Sequence, residues 1–257
     1  MRTRILSLVI ALLAGSLASA SCGATQIERV EPPSWWLGFE MSELQLLVYG
    51  TNIGRAEPSV DHPGVTVNRV ERVESPNYLF VYLDIDKSAG TGEFPINFET
   101  ASGTVTHTFE LLRRRSEGNR LKGFDSSDVI YLVTPDRFAN GDPVNDAAPE
   151  LGDPPDRSDN YGRHGGDIEG VRQHLDYIAD MGFTSIWLNP VLENRQPRAS
   201  YHGYATTDYY RVDPRFGSNE SYREFIADAR NRGVGVVMDL IVNHIGSGHW
   251  WISDLPS

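Results

Sequence analysis

Short runs of alternating apolar and polar residues dominate the chain from residue 28 to about residue 112. Alternation with a period of two is typical of strands that bury one face. Five runs show it, at residues 44–49, 65–73, 78–85, 94–99 and 105–112. Turn residues such as Ser75-Pro76-Asn77 separate them. We predict a small antiparallel β-sandwich over residues 24–112, followed by a basic, polar linker over residues 113–127.

After residue 128 the pattern changes to apolar strands that alternate with amphipathic helices. These elements follow one another in the order strand 128–133, helix 170–182, strand 183–188, helix after Ser218 and strand 234–239. Such repetition predicts parallel strands joined by right-handed crossovers. We therefore predict an α/β fold, with three β/α units over residues 128–257.

The N-terminus has the pattern of a secretory signal. Arg2 and Arg4 precede an apolar run at residues 5–17 and the small residues Ala18-Ser19-Ala20. We predict a signal peptide over residues 1–21 and an exported protein. Cys22 is the single cysteine, so an intramolecular disulfide is excluded. It follows the small residues, where a lipoprotein carries its acylated cysteine. Plain cleavage after Ala20 and lipidation of Cys22 both stay open, so the product is periplasmic or lipid-anchored on the outer side.

The excess of acidic residues limits the kinds of molecule that the protein can bind. The chain carries 23 basic and 35 acidic residues, a formal charge of −12. Removing the signal takes away two arginines and no acid, which leaves a formal charge of −14. Nucleic acid and anionic membrane are poor partners for such a surface, whereas neutral sugars and bound cations are compatible with it.

A loop before the first helix of the α/β region is rich in oxygen-bearing side chains. Asn140, Asp142, Asn145 and Asp146 lie within seven residues, and Gly165-Gly166-Asp167 comes just before that helix. Calcium takes six to eight oxygen ligands, and such a loop can supply about half of them. A loop of Asx turns without a metal is the alternative interpretation, because Asn and Asp are ordinary turn formers.

Polar and aromatic residues also follow the second and third strands. The loop at 201–210 contains His202 and Tyr204 on either side of Gly203, which suit a lined pocket, while Tyr209 and Tyr210 suit core packing. Asp239, Asn243 and His244 end the third strand. We interpret them as substrate contacts or groups that orient such contacts, with a purely structural hydrogen-bond network as the alternative.

Trp35 and Trp36 are further candidates for a binding contact, because adjacent residues of a strand face opposite sides. One of them is expected to pack and the other to be exposed. Sugar stacking and an interdomain contact both remain open for the exposed ring.

These motifs, in this order, resemble the α-amylase family, most closely its cyclomaltodextrinase, neopullulanase and maltogenic amylase branch, whose members carry an extra N-terminal β-domain. The matching segments are residues 33–36, 136–142, 182–190, His202-Gly203-Tyr204 with Asp208-Tyr209, and 239–244. The resemblance implies the first three β/α units of a (β/α)8 TIM barrel. It also implies retaining hydrolysis of α-1,4 or α-1,6 glucosidic bonds in starch-derived oligosaccharides.

The resemblance also implies a role for each candidate residue. Tyr204 would stack on the sugar beside the scissile bond, His202 and His244 would hydrogen-bond its hydroxyls, and Asp239 and Asn243 would hold the surrounding network. The implied calcium ligands are Asn140, Asp142, Asn145, Asp146, Gly165 and Asp167.

The same resemblance leaves the catalytic pair outside this chain. Retaining glycosidases use a nucleophilic carboxylate and a general acid about 5 Å apart. In the family both come from later strands, and neither Asp208 nor Asp239 matches those positions. We therefore expect no catalytic residue within the chain and no hydrolysis by the chain alone. The alternatives are a non-catalytic carbohydrate-binding protein and an α-glucan transglycosylase or branching enzyme. A third alternative is that only the β-domain folds and serves as a docking or homodimerisation module.

Overall fold

The computed structural model describes residues 24–114 and 123–257. The predicted signal peptide at 1–21, Cys22 and residues 115–122 of the predicted linker lie outside the described residues. Within the two described ranges, none of the helices has the length and apolar character needed to cross a bilayer.

The N-terminal module consists of two four-stranded sheets packed face to face. Its strands are β1 (Arg29–Glu31), β2 (Ser34–Trp36), β3 (Glu43–Tyr49), β4 (Glu57–Val60), β5 (Val65–Arg72), β6 (Tyr78–Ile85), β7 (Gly92–Thr100) and β8 (Gly103–Leu112). One sheet has the order β1-β3-β6-β5 and the other β2-β8-β7-β4. The predicted β-sandwich is confirmed, although β2 and β8 pair in parallel and the short strands β1, β2 and β4 were not predicted.

Alternation along the strands accounts for the core of this sandwich. Leu44, Leu46 and Val48 on β3 are buried, and they face the same apolar cluster as Ile96 and Phe98 on β7. Residues between them point to the opposite side of each sheet, as the period of two requires.

The C-terminal module alternates strands and helices. Its elements are β9 (Ile130–Val133), α1 (Pro135–Phe138), α2 (Ile168–Gln173), α3 (Leu175–Asp180), β10 (Ser185–Leu188), β11 (Leu192–Glu193), β12 (Asp208–Val212), α4 (Asn219–Asn231), β13 (Gly235–Met238) and α5 (Trp250–Ser253). Strands β13, β10 and β9 form one parallel sheet in that order, and β11 pairs with β12 in an antiparallel ribbon. The predicted alternation of parallel strands and helices is therefore present as far as the third strand, β13.

The helices differ in how well their ends were predicted. Ser218 caps α4 as expected. Its hydroxyl accepts a hydrogen bond from the backbone amide of Ser221, and the Ser221 hydroxyl accepts one from the backbone amide of Ser218. The single helix predicted over 170–182 is instead α2 and α3, which meet at His174. There the imidazole Nδ1 lies 2.7 Å from the Gly170 carbonyl oxygen.

The two modules touch through the last described helix. The Asp254 carboxylate, just after α5, accepts hydrogen bonds from the Tyr49 hydroxyl at 3.0 Å and the Asn77 amide at 2.8 Å. The Trp250 ring packs on Tyr49 with centroids 4.5 Å apart. The sheet that contains β1 and β3 therefore lies beside the segment that follows β13.

Candidate functional site

The three parallel strands end at one edge of their sheet, and polar groups from all three meet there. Thr134 follows β9, and its hydroxyl lies 3.2 Å from Asn189 Oδ1, which follows β10. Asp239 follows β13 and accepts a hydrogen bond from the indole N–H of Trp187 at 3.2 Å. We call this edge, with the loops 200–210 and 239–246 that rise from it, the rim.

The loop that carries His202 and Tyr204 depends on the glycine between them. Gly203 has a φ of +82°, and a Cβ at this position would collide with the carbonyl oxygen of Pro190. The turn brings the Tyr204 amide within 2.9 Å of His202 Nδ1, and the two rings stack with centroids 5.8 Å apart. Because Nδ1 accepts a hydrogen bond, His202 is held as the tautomer with its proton on Nε2.

His244 joins the same cluster from the third strand. Its Nε2 lies 2.8 Å from the Tyr204 carbonyl oxygen, and its Nδ1 lies 2.9 Å from the Asn243 side-chain nitrogen. A carbonyl oxygen only accepts, so Nε2 carries the proton and Nδ1 accepts from the Asn243 amide. The Tyr204 hydroxyl in turn donates to Asp239 Oδ2 at 3.0 Å. The structure thus brings His202, Tyr204, Asp239, Asn243 and His244 into one connected group.

Burial sets the ionisation of the two aromatic groups. It lowers the pKa of His202, since the charged imidazolium is poorly solvated there. It raises the pKa of Tyr204, and the hydrogen bond to the Asp239 carboxylate acts in the same direction. Both side chains are therefore neutral near pH 7, and 37% of Tyr204 remains exposed.

The loop rich in Asn and Asp contains unsatisfied oxygen atoms. Asn140 Oδ1 and Asn145 Oδ1 are buried and accept no hydrogen bond. The Asp146 carboxylate accepts from the Asn140 amide at 2.7 Å and lies against Gly165, where a Cβ would be 2.8 Å from its oxygen. Buried acceptors without donors are the chemistry that a hard cation satisfies, so this part of the predicted ligand set fits calcium.

Asp167 and Asp142 have different roles in the structure. Asp167 is buried and caps α2, where its oxygens accept from the backbone amides of Gly141, Asp142 and Gly170. Asp142 accepts from the Val144 amide at 3.1 Å. Across residues 24–114 and 123–257, no group of three or more His, Cys, Asp or Glu side chains is placed to hold a metal. A cation at this loop would therefore need amide and backbone oxygens as well as Asp146.

Two supporting features were not predicted from the sequence. Trp187 lies inside an apolar strand, and its indole contact with Asp239 connects it to the rim. Arg215 and Asp213 form a fully buried ion pair at 2.7 Å, and Arg215 also donates to the Asn194 carbonyl, which ties the loop after β11 to the end of β12. A buried arginine inside a run such as Asp213-Pro214-Arg215 gives no periodic signal.

The paired tryptophans lie on the N-terminal module. Trp35 packs against the sandwich core, whereas Trp36 is 42% exposed. Their rings lie 6.1 Å apart, and Trp35 also contacts Phe39 at 5.0 Å. All these ring contacts stay within the same module.

Comparisons with known proteins agree with the two-module division. Residues 29–115 match the family profile "Cyclomaltodextrinase, N-terminal", and residues 132–256 match "Alpha amylase, catalytic domain". The intracellular maltogenic amylase of Bacillus subtilis is 38% identical over 178 residues, which are 66% of this chain and 29% of that protein. Neopullulanase 2 of Thermoactinomyces vulgaris is 35% identical over 130 residues, 49% of this chain and 21% of that protein.

A solved α-amylase structure from Anoxybacillus is 40% identical over 50% of this chain and 26% of its own, with a TM-score of 0.45. The chain spans less than a third of the length of each of these proteins. The two profile matches together cover most of the chain and both of its modules. The chain therefore belongs to the α-amylase family of glycoside hydrolases, in the branch that includes cyclomaltodextrinase, neopullulanase and maltogenic amylase.

Proposed function

We propose that the protein containing this chain hydrolyses α-glucosidic bonds of starch-derived oligosaccharides with retention of configuration, and that the rim binds one glucose unit of the substrate. The observation that carries the proposal is the convergence of His202, Tyr204 and His244 on one edge of the parallel sheet, in a chain of the α-amylase family. The named relatives support the substrate class, since they include a neopullulanase and cyclomaltodextrinases.

The geometry of the rim suits a neutral, hydroxyl-rich ligand. Tyr204 offers a partly exposed aromatic face, which is the surface on which a sugar ring stacks. His202 Nδ1 is occupied by the Tyr204 amide, which leaves its Nε2–H to donate to a hydroxyl. Asp239 orients the Tyr204 ring through the phenolic hydroxyl. These groups position a sugar and do not themselves attack it.

The carboxylates at the rim are already engaged by other groups. Asp239 accepts from Tyr204 and Trp187, and Asp208 accepts from Arg29 and from the Tyr210 amide. Neither of them matches the family's catalytic positions, so we assign neither as the nucleophile or the general acid of a retaining mechanism. The chain alone is expected to bind sugar without cleaving it.

We infer that calcium stabilises the loop beside α2. Asn140, Asn145, Asp146 and the Gly165 carbonyl would hold the ion, while Asp142 and Asp167 shape the loop through their backbone hydrogen bonds. A bound calcium would supply positive charge to the Asp146 carboxylate and the two orphaned amide oxygens. These ligands would connect the loop at 140–146 to the segment that begins α2.

We further infer that the protein is exported, either to the periplasm or to an outer-side lipid anchor at Cys22. The support is the pattern of residues 1–21 alone. Cell fractionation tests export, and loss of metabolic palmitate labelling on Cys22→Ser separates the two forms. A purely cytosolic protein would contradict the inference.

The complete protein tests the sugar-binding role of Tyr204. Tyr204→Ala is expected to lower kcat/KM for maltohexaose by about 10- to 100-fold, the equivalent of about 1.4 to 2.7 kcal/mol. Tyr204→Phe keeps the aromatic face and loses only the Asp239 bond, so its loss should stay below about 10-fold. The matched control is Tyr177→Ala, an exposed tyrosine on α3 that is remote from the rim.

Hydrolysis is followed by proton NMR, which also reports the anomer first released. No cleavage of maltohexaose or related α-glucans by the complete protein, or an inverted product, contradicts the proposed reaction. Equal effects of Tyr204→Ala and Tyr177→Ala contradict the assignment of the rim.

A further inference from the structure

We propose that Arg29, on the first strand of the β-domain, is a positioning residue for the sugar site. By holding Asp208, it fixes the start of β12, on which both the Tyr204 loop and the His244 segment rest. The inference rests on the proposed function for the identity of the ligand. It gives the N-terminal module a role in positioning the sugar site of the C-terminal module.

The first observation is an ion pair that crosses between the modules. Arg29 Nη1 donates to Asp208 Oδ2 at 2.8 Å, across 179 positions of sequence. Asp208 is only 6% exposed, and its other oxygen accepts the Tyr210 amide at 2.9 Å. Arg29 also lies over the Trp250 ring, 5.4 Å from its centroid. One guanidinium therefore contacts both β12 and α5.

The second observation is that the rim segments rest on the residues beside Asp208. The Tyr209 hydroxyl donates to the His244 carbonyl at 2.9 Å, and the Gly246 amide donates to the Thr206 carbonyl at 2.8 Å. His244 Nε2 closes the set with its hydrogen bond to the Tyr204 carbonyl. Hydrogen bonds from the segment 204–209 thus hold the third-strand segment that presents His244.

The energetic consequence follows from the burial of Asp208. Without Arg29, this carboxylate would keep one backbone donor in a site almost closed to water. A buried carboxylate that has lost its cation is strongly unfavourable, so the start of β12 would move to hydrate it. Since the segment 204–209 carries Tyr204 and supports His244, that movement would shift both sugar contacts together.

Domain docking alone is the alternative role for Arg29, and Asp254 offers a matched control. Asp254 also joins the two modules, through Tyr49 and Asn77, but it makes no hydrogen bond to the rim. Removing either side chain should weaken the contact between the two modules. Only removal of Arg29 should disturb the segment 204–209.

The test uses the complete protein with Arg29→Ala, Arg29→Lys, Asp208→Asn, the double variant Arg29→Ala/Asp208→Asn, and the control Asp254→Ala. In Arg29→Ala, KM for maltohexaose should rise about 3- to 10-fold, as expected for a coupled, partly buried pair. Arg29→Lys should recover part of this loss. The double variant should lose less than the product of the two single effects. Asp254→Ala should change KM by less than about 2-fold.

Amide hydrogen exchange provides a readout that needs no substrate. Arg29→Ala should speed exchange at residues 204–209 and 243–246, whereas Asp254→Ala should leave both segments unchanged. Equal exchange in the two variants, or faster exchange with an unchanged KM, overturns the positioning role. A wild-type protein without hydrolase activity overturns the proposed function instead, and the exchange data then decide whether Arg29 holds the rim. Arg29→Lys and Asp208→Asn supply the same comparison should Arg29→Ala fail to fold.

Discussion

At the scale of single residues, the shape of the rim depends on side-chain atoms whose hydrogen bonds fix them as acceptors. His202 Nδ1 accepts the Tyr204 amide, His244 Nδ1 accepts the Asn243 amide, and Asp239 accepts the Tyr204 hydroxyl. Each interaction uses a lone pair on an uncharged imidazole or a charge on a carboxylate. The arrangement is therefore sensitive to backbone shape at Gly203 and to the protonation of His202.

Gly203→Ala should destabilise the protein by about 1 to 3 kcal/mol, because the site combines a positive φ with a Cβ collision against the Pro190 carbonyl. Urea unfolding measures the change in the free energy of unfolding. The matched control is Gly182→Ala, where φ is +85° but no atom lies within 4 Å of the added Cβ. The control should cost about 1 kcal/mol. Equal costs at the two positions would show that the approach to Pro190 is unimportant.

Stability should fall on acidification below the ordinary histidine pKa of about 6.5. Burial lowers the pKa of His202, His107 and His249, so the folded protein binds these protons less readily than the unfolded chain. Their contribution is complete above the unfolded value and is lost as the pH falls through the lower folded values. For His202, protonation also removes the acceptor of the Tyr204 amide.

Thermal unfolding of His202→Asn between pH 5 and pH 7.5 isolates this residue. Asn keeps a side-chain oxygen acceptor and does not titrate, so the variant should lose less stability on acidification than the wild type does. Identical pH profiles for the two proteins would show that His202 contributes nothing to the dependence.

At the scale of elements, loops carry the chemistry and the regular elements set their positions. The loop at 140–146 is anchored at the N-terminus of α2 by Asp167, whose carboxylate accepts three backbone amides from two segments. That anchoring leaves the amide oxygens of Asn140 and Asn145 buried without donors. The loop is therefore the element whose stability should respond most to a cation.

Calcium at about 100 times its dissociation constant should stabilise the protein by about 2.7 kcal/mol. Differential scanning calorimetry with and without a chelator measures the shift in Tm. Asp146→Ala should abolish most of the calcium-dependent shift, because its carboxylate lies beside the Asn140 amide and against Gly165. Asp156→Ala, in an exposed Asx turn with Ser158, is the control and should keep the full shift. A wild-type Tm that ignores calcium contradicts the metal proposal.

At the scale of the whole molecule, two independent cores meet at a polar and aromatic interface. The sandwich core and the core between the parallel sheet and its helices are separate apolar clusters. Between them lie Arg29, Asp208, Trp250 and Asp254, which join through hydrogen bonds and ring contacts. Leu132 and Trp187 pair across the parallel sheet and stay about half exposed on the face away from the helices, the face that an enclosing barrel would bury.

Several features of this protein could be predicted because they depend on local pattern. Alternation located the longer strands of the sandwich, and Ser218 located the start of α4 through its capping interaction. The polar and aromatic residues on either side of Gly203, in the loop after the second strand, pointed to His202 and Tyr204 as pocket-lining groups. The three-residue strands β1 and β2 escaped prediction because they are too short to show a period and depend on pairing with β3 and β8.

The sequence by itself determined the order of the longer elements, the family and the residue types available at the ends of the parallel strands, because periodicity and motif spacing are properties of neighbouring positions. Only the tertiary structure decided which of those groups are engaged. It placed Arg29 against Asp208 across 179 positions of sequence, and it directed the Asp167 carboxylate to backbone amides of the loop at 140–146. It also left the side-chain oxygens of Asn140 and Asn145 without hydrogen-bond donors. The physical reason is that burial and hydrogen-bond satisfaction depend on what surrounds a group in space, and that is settled only when distant segments pack together.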